Sequence, residues 1–471
     1  MTYRELLASN ADFRRLWTGQ VVSEVGDWLN NIAVLALVIQ LAGASGVGLA
    51  VALYAIARHL PLFLFGPVAG VVVDRVNRRR VMIAADIARA LLALGFLLAS
   101  RLASLPVIYA VGAALFSVSA FFNAAKRASI PNLVEGTDEL LAANSLSAST
   151  TAATIAVGSA LGGLVATALG RDTVFILNAL TFIASAEMIR RIRRAVSIKQ
   201  RSEVRGQRSV ESEQRAEGGG VKVIGLEVQT PEVTAQRSPL TAYFSDFREG
   251  LRYVRRDNVL SAVFVAAAGW GLGNGAARAL YSIFGARLGE QAAAGWGAGV
   301  RAVAERPTDF GISVLFVAMG VGGVLGAPLA RRFNRGAPGD LGARMGRSLT
   351  LDGCGLLLFS FMPNLLGAAV VLIAREMNFA IWWTAQQTLV MRRTDDRFAG
   401  RVFASFETLT TLMMVGSILV SGEVADRLGI RPVAAGGGSV VILSGLLWFI
   451  LRRRDERAKD LSTRKHSSTD R

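Results

Sequence analysis

The sequence is poor in the residues that build disulfides and metal centres. Cys354 is the single cysteine, and His59 and His466 are the only two histidines among 471 residues. One cysteine cannot close a disulfide within the chain, and so few cysteines and histidines exclude a metal centre built on them. The sequence also lacks a Gly-x-x-x-x-Gly-Lys-Ser/Thr loop for nucleotide phosphates. We therefore expect no cofactor, no metal and no ATP-driven chemistry.

Charged residues are also scarce. They make up 18% of the chain, against about 25% in a soluble domain, whereas 52% of the residues are hydrophobic. Apolar stretches of about 18 residues or more recur along the whole length, which is typical of membrane-spanning helices. The net charge of +17 does not indicate nucleic-acid binding, because the basic residues lie in short clusters between apolar runs. Such clusters mark the cytoplasmic loops of membrane proteins.

Twelve apolar segments are long enough to cross a bilayer, in two groups of six. The N-terminus lacks the pattern of a cleaved signal peptide, so we expect the first segment to remain as a span. A polar stretch separates the groups and ends in an amphipathic helix near residues 246–257, and a basic tail closes the chain. The predicted domains are 1–190, 191–257, 258–452 and 453–471. The predicted spans are 18–41, 46–73, 80–100, 105–125, 144–168, 172–190, 258–285, 311–330, 346–362, 365–390, 400–422 and 433–451.

Basic residues concentrate in alternate loops, which predicts the orientation of the chain. Clusters follow the even-numbered spans, for example at Arg78 to Arg80 and at Arg331 and Arg332, whereas the loop after the first span has none. The positive-inside rule places these loops, and with them both termini, in the cytoplasm. The loop at 286–310 is the weakest point, because it is long and carries three arginines.

The two halves of the sequence repeat. The pattern Gly163-x-x-Ala166-x-x-Leu169-Gly170 recurs as Gly422-x-x-Ala425-x-x-Leu428-Gly429, and Gly70 before Arg75 corresponds to Gly326 before Arg331. Two bundles related by an axis along the membrane normal are a transporter architecture, with the substrate between them. The predicted fold is therefore all-α, with twelve transmembrane helices in two six-helix bundles related by pseudo-two-fold symmetry.

The turn after the second span carries a family signature. With this arrangement of spans, the chain resembles the major facilitator superfamily, whose signature is Gly-x-x-x-Asp-Arg-x-Gly-Arg-[Arg/Lys]. Asn77 stands where glycine is usual, which is a mild departure because asparagine tolerates a left-handed turn better than other non-glycine residues do. The residues that match the signature are Gly70, Asp74, Arg75, Arg78 and Arg79.

Other stretches resemble the bacterial macrolide-efflux and enterobactin-export branch of that family. They include Phe13-Arg-Arg-Leu-Trp17, Gly26-Asp27-Trp28 and Gly400-Arg401-Val402. The glycines Gly158, Gly162 and Gly163 follow the exporter pattern of span 5 without its proline. The expected role of these three glycines is to let the bundles approach closely.

The resemblance implies an exporter of a small hydrophobic or amphipathic molecule (a drug, macrolide or siderophore type) that works by proton antiport and alternating access. It also implies that Asp74 faces the N-terminus of span 11, near Gly400 and Arg401, while the transporter is open to the outside. An anion is favoured there by the helix dipole. The bland interpretation of Asp74 and Arg75 is a charge cluster that only fixes topology.

Charged residues inside spans are the candidates for a proton or substrate site. Glu24 and Asp27 are three apart on span 1, which places them on one helix face. A buried carboxylate can load and release a proton, and Asp27 is our first candidate and Glu24 the second. Arg58 could neutralise either acid, and a permanent Asp27–Arg58 pair is the alternative. Asp86 and Arg89 are expected to form a structural pair.

These patterns leave three functions open. The first is the exporter, with a small molecule, protons and the lipid bilayer as partners and the inner cell membrane as its location. The second is an importer or uniporter on the same fold. The third is a polytopic membrane enzyme, which the lack of any nucleophile or metal-ligand cluster disfavours. We expect a monomer and no nucleic-acid partner.

Overall fold

The computed structural model describes residues 2–43, 46–193, 239–295, 305–334 and 338–469. Over these residues the chain forms fourteen α-helices and no strand. They are α1 Tyr3–Ser9, α2 Ala11–Ala42, α3 Val47–Arg75, α4 Arg78–Arg101, α5 Leu105–Leu133, α6 Gly136–Leu169, α7 Arg171–Arg190, α8 Pro239–Val254, α9 Asn258–Gly295, α10 Pro307–Asn334, α11 Pro338–Ser360, α12 Leu365–Arg393, α13 Asp396–Leu428 and α14 Ile430–Thr469.

Eleven of the described helices are long and apolar enough to cross a membrane. They are α2 to α7, α9, α10 and α12 to α14, and each matches one predicted span. The remaining predicted span, 346–362, corresponds to α11, which is not among these eleven helices because Arg344, Arg347 and Asp352 interrupt its apolar sequence. It nevertheless packs between α12 and α14 as a member of the second bundle.

The helix pairings are the same in the two bundles, which confirms the predicted repeat. In the first bundle α2 packs on α6 and α7, α3 packs on α5, and α4 packs on α5 and α7. In the second bundle α9 packs on α13 and α14, α10 packs on α12, and α11 packs on α12 and α14. Each contact recurs seven helices later. Between the bundles, α6 packs on α10 and α3 packs on α13, and these pairs also correspond under the repeat.

The repeated glycines end equivalent helices. Gly170 follows α6 with φ 94°, and Gly429 follows α13 with φ 89°. Their N–H groups donate to Ala166 O at 3.2 Å and to Ala425 O at 2.9 Å. Glycine adopts this positive φ without a steric cost, which explains why both tight connections carry it.

Large apolar side chains are exposed on the outside of the protein and charged ones are buried within it, as expected for a protein surrounded by lipid. Large hydrophobic side chains are exposed on the outside of the bundles, including Leu91, Leu164 and Leu366, which are 67%, 66% and 76% exposed. Continuous leucine surfaces of this kind fit lipid better than water. Buried polar residues lie inside, where Asp86, Asp309 and Asp352 are fully enclosed. The protein therefore presents its apolar face outward and keeps charge within the bundles.

Several helices extend beyond the predicted spans. The polar stretch before span 1 forms α1 and the beginning of α2, and Asn10 caps α2 by accepting from Phe13 N–H at 2.9 Å. Span 12 continues as helix to Thr469, through the segment predicted as a tail. Hydropathy marks the hydrocarbon-crossing part of a helix, whereas the backbone continues past it. Of the predicted linker, residues 194–238 lie outside the described residues, as do residues 296–304 of the long loop.

Candidate functional site

The bundles meet mainly through two helix pairs, α6 with α10 and α3 with α13, and the contacts favour one end of the molecule. We call the end with Asp74, the first turn of α4 and the beginning of α13 the Asp74 face. The opposite end, with the beginning of α3 and Asp426 near the end of α13, is the Asp426 face. At the Asp426 face Gly48 of α3 lies against Gly422 of α13, where a Cβ on Gly48 would be 2.3 Å from Gly422 O. The two backbones therefore touch, and no larger residue fits at either position.

Asp426 joins these two helices by charge as well as by packing. Its Oδ1 accepts from Gly48 N–H at 2.7 Å and its Oδ2 from Leu49 N–H at 2.9 Å. The first N–H groups of a helix have no partner within the helix, and the helix dipole is positive there. The carboxylate of α13 therefore caps α3 from the other bundle.

A second ionic contact joins the bundles on the same face. Arg171, at the start of α7, donates from Nε and Nη2 to Asp309 of α10 at 2.9 and 2.8 Å. Asp309 is fully buried, so this bidentate pair is shielded from solvent and specific in geometry. Arg306 adds a bond to Ala166 O at 2.6 Å. A cavity of about 1010 Å³ lies beside these contacts, at the helix ends of both bundles.

The three predicted interface glycines of α6 face two different helices. A Cβ on Gly163 would be 2.0 Å from Ser313 Oγ of α10, so this glycine lies between the bundles as predicted. Gly158 and Gly162 instead face α2 of their own bundle, where added Cβ atoms would meet Val25 O at 2.7 Å and Leu29 O at 2.8 Å. The prediction that all three line the bundle interface is corrected accordingly. Helical spacing explains the split, because Gly158 and Gly162 are four apart on one face and Gly163 lies on the next.

At the Asp74 face, Gly70 of α3 and Gly400 of α13 have no close neighbour, although α8 packs against both helices. An added Cβ at Gly70 or at Gly400 would meet no described atom within 4 Å. The Asp74 side chain is 67% exposed, and its ion pair within the described residues is with Arg78 of the next helix, at 3.8 Å. The expected contact of Asp74 with the beginning of α13 is therefore not made in this conformation.

The other residues of the signature hold the turn itself. Arg78 donates to Ala128 O of α5 at 2.6 Å, and Arg79 donates to Arg190 O of α7. Asn77 has φ −63° and caps α4 by accepting from the N–H groups of Arg79 and Arg80. Asn77 is therefore a helix cap in the extended region, and the left-handed conformation that asparagine tolerates is not used here.

Arg401, the expected neighbour of Asp74, is held by α8. It pairs with Asp246 at 3.3 Å and with Glu249 at 2.8 Å. Gly250 of α8 lies against Arg401 O, where a Cβ would be at 2.4 Å. The helix predicted to lead into the second half thus packs along the beginning of α13.

The candidate acids of α2 have separate partners. Glu24 pairs with Lys126 of α5 at 3.3 Å and accepts from Thr154 of α6 at 3.2 Å. Asp27 lies 3.9 Å from Arg89 of α4. Arg89 also pairs with the fully buried Asp86. The expected structural pair of Asp86 and Arg89 therefore extends to Asp27, and two carboxylates share one guanidinium.

Arg58, which could have neutralised an acid pair, makes no ion pair with Asp27 or Glu24 among the described residues. Its Nη1 donates to Asn31 Oδ1 of α2. Its guanidinium lies 4.8 Å from the ring centroid of Trp28 and 5.1 Å from that of Phe116, which are cation–π distances. Arg89 and Lys126 occupy the counter-ion positions instead.

The second bundle contains a corresponding buried network that sequence reasoning did not assemble. Arg375 of α12 pairs with Asp352 of α11 at 3.0 Å and with the adjacent Glu376 at 3.2 Å. It also donates to Tyr281 Oη at 2.6 Å and to Asn274 Oδ1 at 2.7 Å, both on α9. Again two carboxylates share one guanidinium. The sequence placed these charges within or near spans but gave no sign of which helix faces meet.

Asp426 was also missed, although the sequence carried a signal for it. Gly422-x-x-x-Asp426-Arg427 near the end of α13 repeats the Gly70-x-x-x-Asp74-Arg75 pattern near the end of α3. Both helices of one bundle-to-bundle pair therefore end in the same acid–arginine sequence, at opposite faces. Arg427 pairs along its own helix with Glu423.

The chain matches a model of the Major Facilitator Superfamily over residues 16–417. It is 24% identical to an uncharacterized MFS-type transporter, YfiS, of Bacillus subtilis (strain 168), over 98% of each chain. It is also 24% identical to the putative bacilysin exporter BacE of the same organism, over 78% of each chain. Macrolide efflux protein A of Streptococcus pyogenes is 33% identical over 16% of this chain and 18% of its own.

The fold has been seen in a solved structure. The crystal structure of the nucleoside transporter NupG superposes with a TM-score of 0.65, covering 93% of this chain and 99% of that one, at 10% identity. At this identity the likeness concerns the fold alone.

Proposed function

Because this chain belongs to the Major Facilitator Superfamily, we propose that it is a secondary active exporter of a small hydrophobic or amphipathic molecule that works by alternating access. Its membership makes it a transporter. The names of two relatives, a putative bacilysin exporter and a macrolide efflux protein, favour export. The observation that supports the mechanism is the capping of α3 by Asp426 of α13. At the opposite face the same two helices offer an equivalent acid, Asp74 of α3, which does not cap α13 in this conformation.

The proposed gate exchanges one carboxylate cap for the other. In the conformation described above, Asp426 caps α3 and the Asp74 face is open. In the alternative conformation, Asp74 would cap α13 near Gly400 and Asp426 would be released. Each cap is available only when its end of the α3–α13 pair is closed, so the two contacts exclude each other and the bundles, 1–190 and 258–452, rock about their centre.

The orientation follows from the basic clusters. We assign the Asp74 face to the cytoplasm, with both termini there and the protein in the inner cell membrane as a monomer. The structure then corresponds to the inward-open state, ready to load a substrate from the cytoplasm or the inner leaflet. The segment 191–257 would connect the bundles on this side, with α8 holding the beginning of α13, and 453–471 would extend from the same side.

Proton antiport is supported by the shared guanidinium of the first bundle. Asp27 and Asp86 together carry two negative charges against the single positive charge of Arg89, in surroundings where an unpaired charge is costly. One bound proton would balance the cluster. The Asp27 side chain is 25% exposed whereas that of Asp86 is fully buried, so we assign proton loading to Asp27, with Glu24 as a second site.

The test uses inside-out vesicles with an acidic interior. We expect substrates from a panel of hydrophobic drugs and siderophores to enter the vesicles and to release protons from them. Asp27→Asn should abolish proton movement and retain exchange of substrate for substrate. Asp172→Asn, which removes an exposed acid paired with Arg101, is the control and should behave as the unaltered protein. Substrate transport without proton movement would identify a uniporter, and movement in the opposite direction an importer.

A further inference from the structure

A small cavity lies between the two bundles, near the middle of the spans. It has a volume of about 100 Å³ and is lined by α2 and α3 from the first bundle and by α9 and α10 from the second. Its charged residues are Arg58 and Arg278, one from each bundle, and His59 lies beside them. No aspartate or glutamate occurs among its described lining residues.

Neither arginine forms an ion pair with a carboxylate of the described residues, although Asp27 lies close enough to Arg58 to act on it electrostatically. Arg58 is held by the carbonyl oxygen of the Asn31 side chain and by the faces of Trp28 and Phe116. These contacts orient a guanidinium but do not neutralise it. Arg278 makes no hydrogen bond or ion pair within the described part of the chain.

The nearby acids are already engaged elsewhere. Asp27 pairs with Arg89, and Glu24 pairs with Lys126. In the second bundle Asp352 and Glu376 both pair with Arg375. Among the described residues, therefore, no carboxylate is in direct contact with either of the two arginines that face this cavity, and Asp27, Asp352 and Glu376 act on them only at longer range. An uncompensated charge inside a membrane protein is costly and marks the path of a charged substrate.

We propose that Arg58 and Arg278 bind an anionic head group, of the carboxylate type, on the transported molecule. This inference rests on the proposed transport function and specifies that the transported substrate carries a negative charge. A guanidinium presents paired N–H donors that match the two oxygens of a carboxylate. The cavity holds a head group only, because a whole drug-sized ligand needs at least about 300 Å³. The remainder of the molecule would extend towards the open Asp74 face.

The aromatic residues beside the arginines suit an apolar body. Trp28 of α2 and Phe316 of α10 face each other across the bundles with ring centroids 6.0 Å apart, and Tyr54 is a third ring in the lining. An anion held by one arginine from each bundle would also tie the bundles together at their centre. Such a ligand binds the two conformations differently, which is what shifting their populations requires.

The test compares three naphthyl compounds that differ in the head group: naphthylacetate, its methyl ester and naphthylethylamine. Binding is measured to the full chain in phosphatidylcholine nanodiscs. We expect saturable binding of the carboxylate, with affinity roughly ten-fold or more above that of the ester or the amine. Arg58→Gln and Arg278→Gln should each weaken carboxylate binding by roughly ten-fold, and Arg58→Lys by less, because lysine keeps the charge without the paired donors.

The control is Arg101→Gln, which removes a guanidinium that is 73% exposed and pairs with Asp172; it should bind as the unaltered protein does. Each variant is compared only if its thermal midpoint matches that of the unaltered chain. A stronger binding of the amine or ester, no binding of any compound, or full carboxylate binding by both glutamine variants overturns the proposal. Loss of carboxylate binding when phosphatidylglycerol is added also overturns it, because the site would then hold a lipid head group.

The outcomes separate this inference from the transport function. Both glutamine variants could transport cationic drugs with proton movement at the rate of the unaltered protein. In that case the protein is an exporter, but its substrate is not an anion. Carboxylate binding without transport of any compound in the vesicle assay would leave an anion site in a protein that is not an exporter. Failure of one test therefore does not imply failure of the other.

Discussion

Asp74 and Asp426 carry the same chemistry at the level of single residues. Each stands near the C-terminus of its helix, follows a glycine by four positions and precedes an arginine. Asp426 accepts two hydrogen bonds from the beginning of α3, whereas Asp74 is 67% exposed beside Arg78. A carboxylate at a helix N-terminus is stabilised by about 0.3–1 kcal/mol at an exposed site and by up to about 2 kcal/mol when partly buried. A cap of this strength would bias an equilibrium between two conformations and could still be broken in each cycle of the proposed mechanism.

Removing the charge of Asp74 should slow transport without preventing folding. Asp74→Asn keeps the shape of the side chain, and the exposed position tolerates it, so expression and membrane insertion should be unchanged. The conformation closed at the Asp74 face loses its cap, and its population falls by roughly ten-fold for each 1.4 kcal/mol lost. The measurement is initial transport rate per inserted protein in vesicles.

The matched control is Glu187→Gln, which removes an acid paired with Arg190 and Arg191 on its own helix. It should transport at the normal rate. An Asp74→Asn protein that transports as fast as the unaltered one would reduce this residue to a topological signal, which was the bland interpretation of the sequence.

A residue could be predicted from the sequence when its role depends on one continuous motif. It could not be predicted when its role depends on contacts between distant helices. Asp74 was identified because its signature lies in one continuous stretch. The repeated Gly-x-x-x-Asp-Arg pattern marks Asp426, but its role depends on α13 meeting α3, and the pattern does not encode that contact. The same limit applies to Arg89, which pairs with both Asp27 and Asp86. Its guanidinium also lies 3.9 Å from the ring centroid of Phe122 and 4.4 Å from that of Phe182. Arg58 was chosen as the counter-ion on depth in the membrane alone, and depth does not determine which helix face a residue occupies.

At the level of helices, glycine spacing determines how closely neighbours approach. Gly320 of α10 lies against Ala156 of α6, where a Cβ would be 2.3 Å from the Ala156 nitrogen, and Gly163 lies against Ser313 nearer the Asp426 face. Ser313 also donates to Ser159 O at 2.7 Å. Small residues along both helices let the backbones pack closely, as in other membrane helix pairs. The sequence predicted the glycine motif, but not that two of its three glycines face α2.

The two kinds of glycine should respond differently to the same substitution. Gly163→Ala would place its Cβ 2.3 Å from Ser313 Cβ and should destabilise the bundle interface by about 1–3 kcal/mol. Ser313→Gly removes both clashing atoms and should restore the thermal midpoint. Gly158→Ala instead meets the backbone oxygen of Val25 at 2.7 Å, so the same Ser313→Gly change should not rescue it.

Thermal unfolding of the purified protein checks this pair of predictions, with Gly400→Ala as a control because an added Cβ there meets no described atom within 4 Å. Rescue of Gly158→Ala by Ser313→Gly, or no rescue of Gly163→Ala, would contradict the assignment of Gly163 to the interface between the bundles.

Hydropathy and the repeat together predicted most of the helical framework. Every predicted span has a helix, and the repeated Gly170 and Gly429 end α6 and α13 with nearly the same backbone angle. The lengths were underestimated because polar residues extend helices outside the hydrocarbon, as at α2 and α14. The ionic contact of Arg171 with Asp309 could not be predicted, because it joins two loop-proximal residues that are 138 positions apart.

At the level of the whole molecule, the proposed alternating access requires two states, and we interpret the structure as one of them. The bundles are joined at the Asp426 face by the α3 cap and by the Arg171–Asp309 pair, and space remains beside Gly70 and Gly400 at the Asp74 face. The central arginines and the carboxylates of α2 lie between these ends. We expect closure of one face to be coupled to opening of the other, since α3 and α13 extend through both.

The most direct test measures the accessibility of both faces in the same variant. In a Cys354→Ser background, Ala52→Cys reports on the Asp426 face, because Ala52 is fully buried against Gly422, and Gly66→Cys reports on the space at the other face. Maleimide labelling of the purified protein should be slow at position 52 and fast at position 66.

Asp426→Asn should raise labelling at position 52 and lower it at position 66, by roughly 2- to 30-fold for a cap worth about 0.5–2 kcal/mol. Glu423→Gln, which alters an exposed pair on the same helix, should change neither rate. If labelling rises at both positions, the substitution only loosens the protein. If position 66 does not respond at all, the two faces are not coupled, and either result contradicts alternating access through this pair of helices.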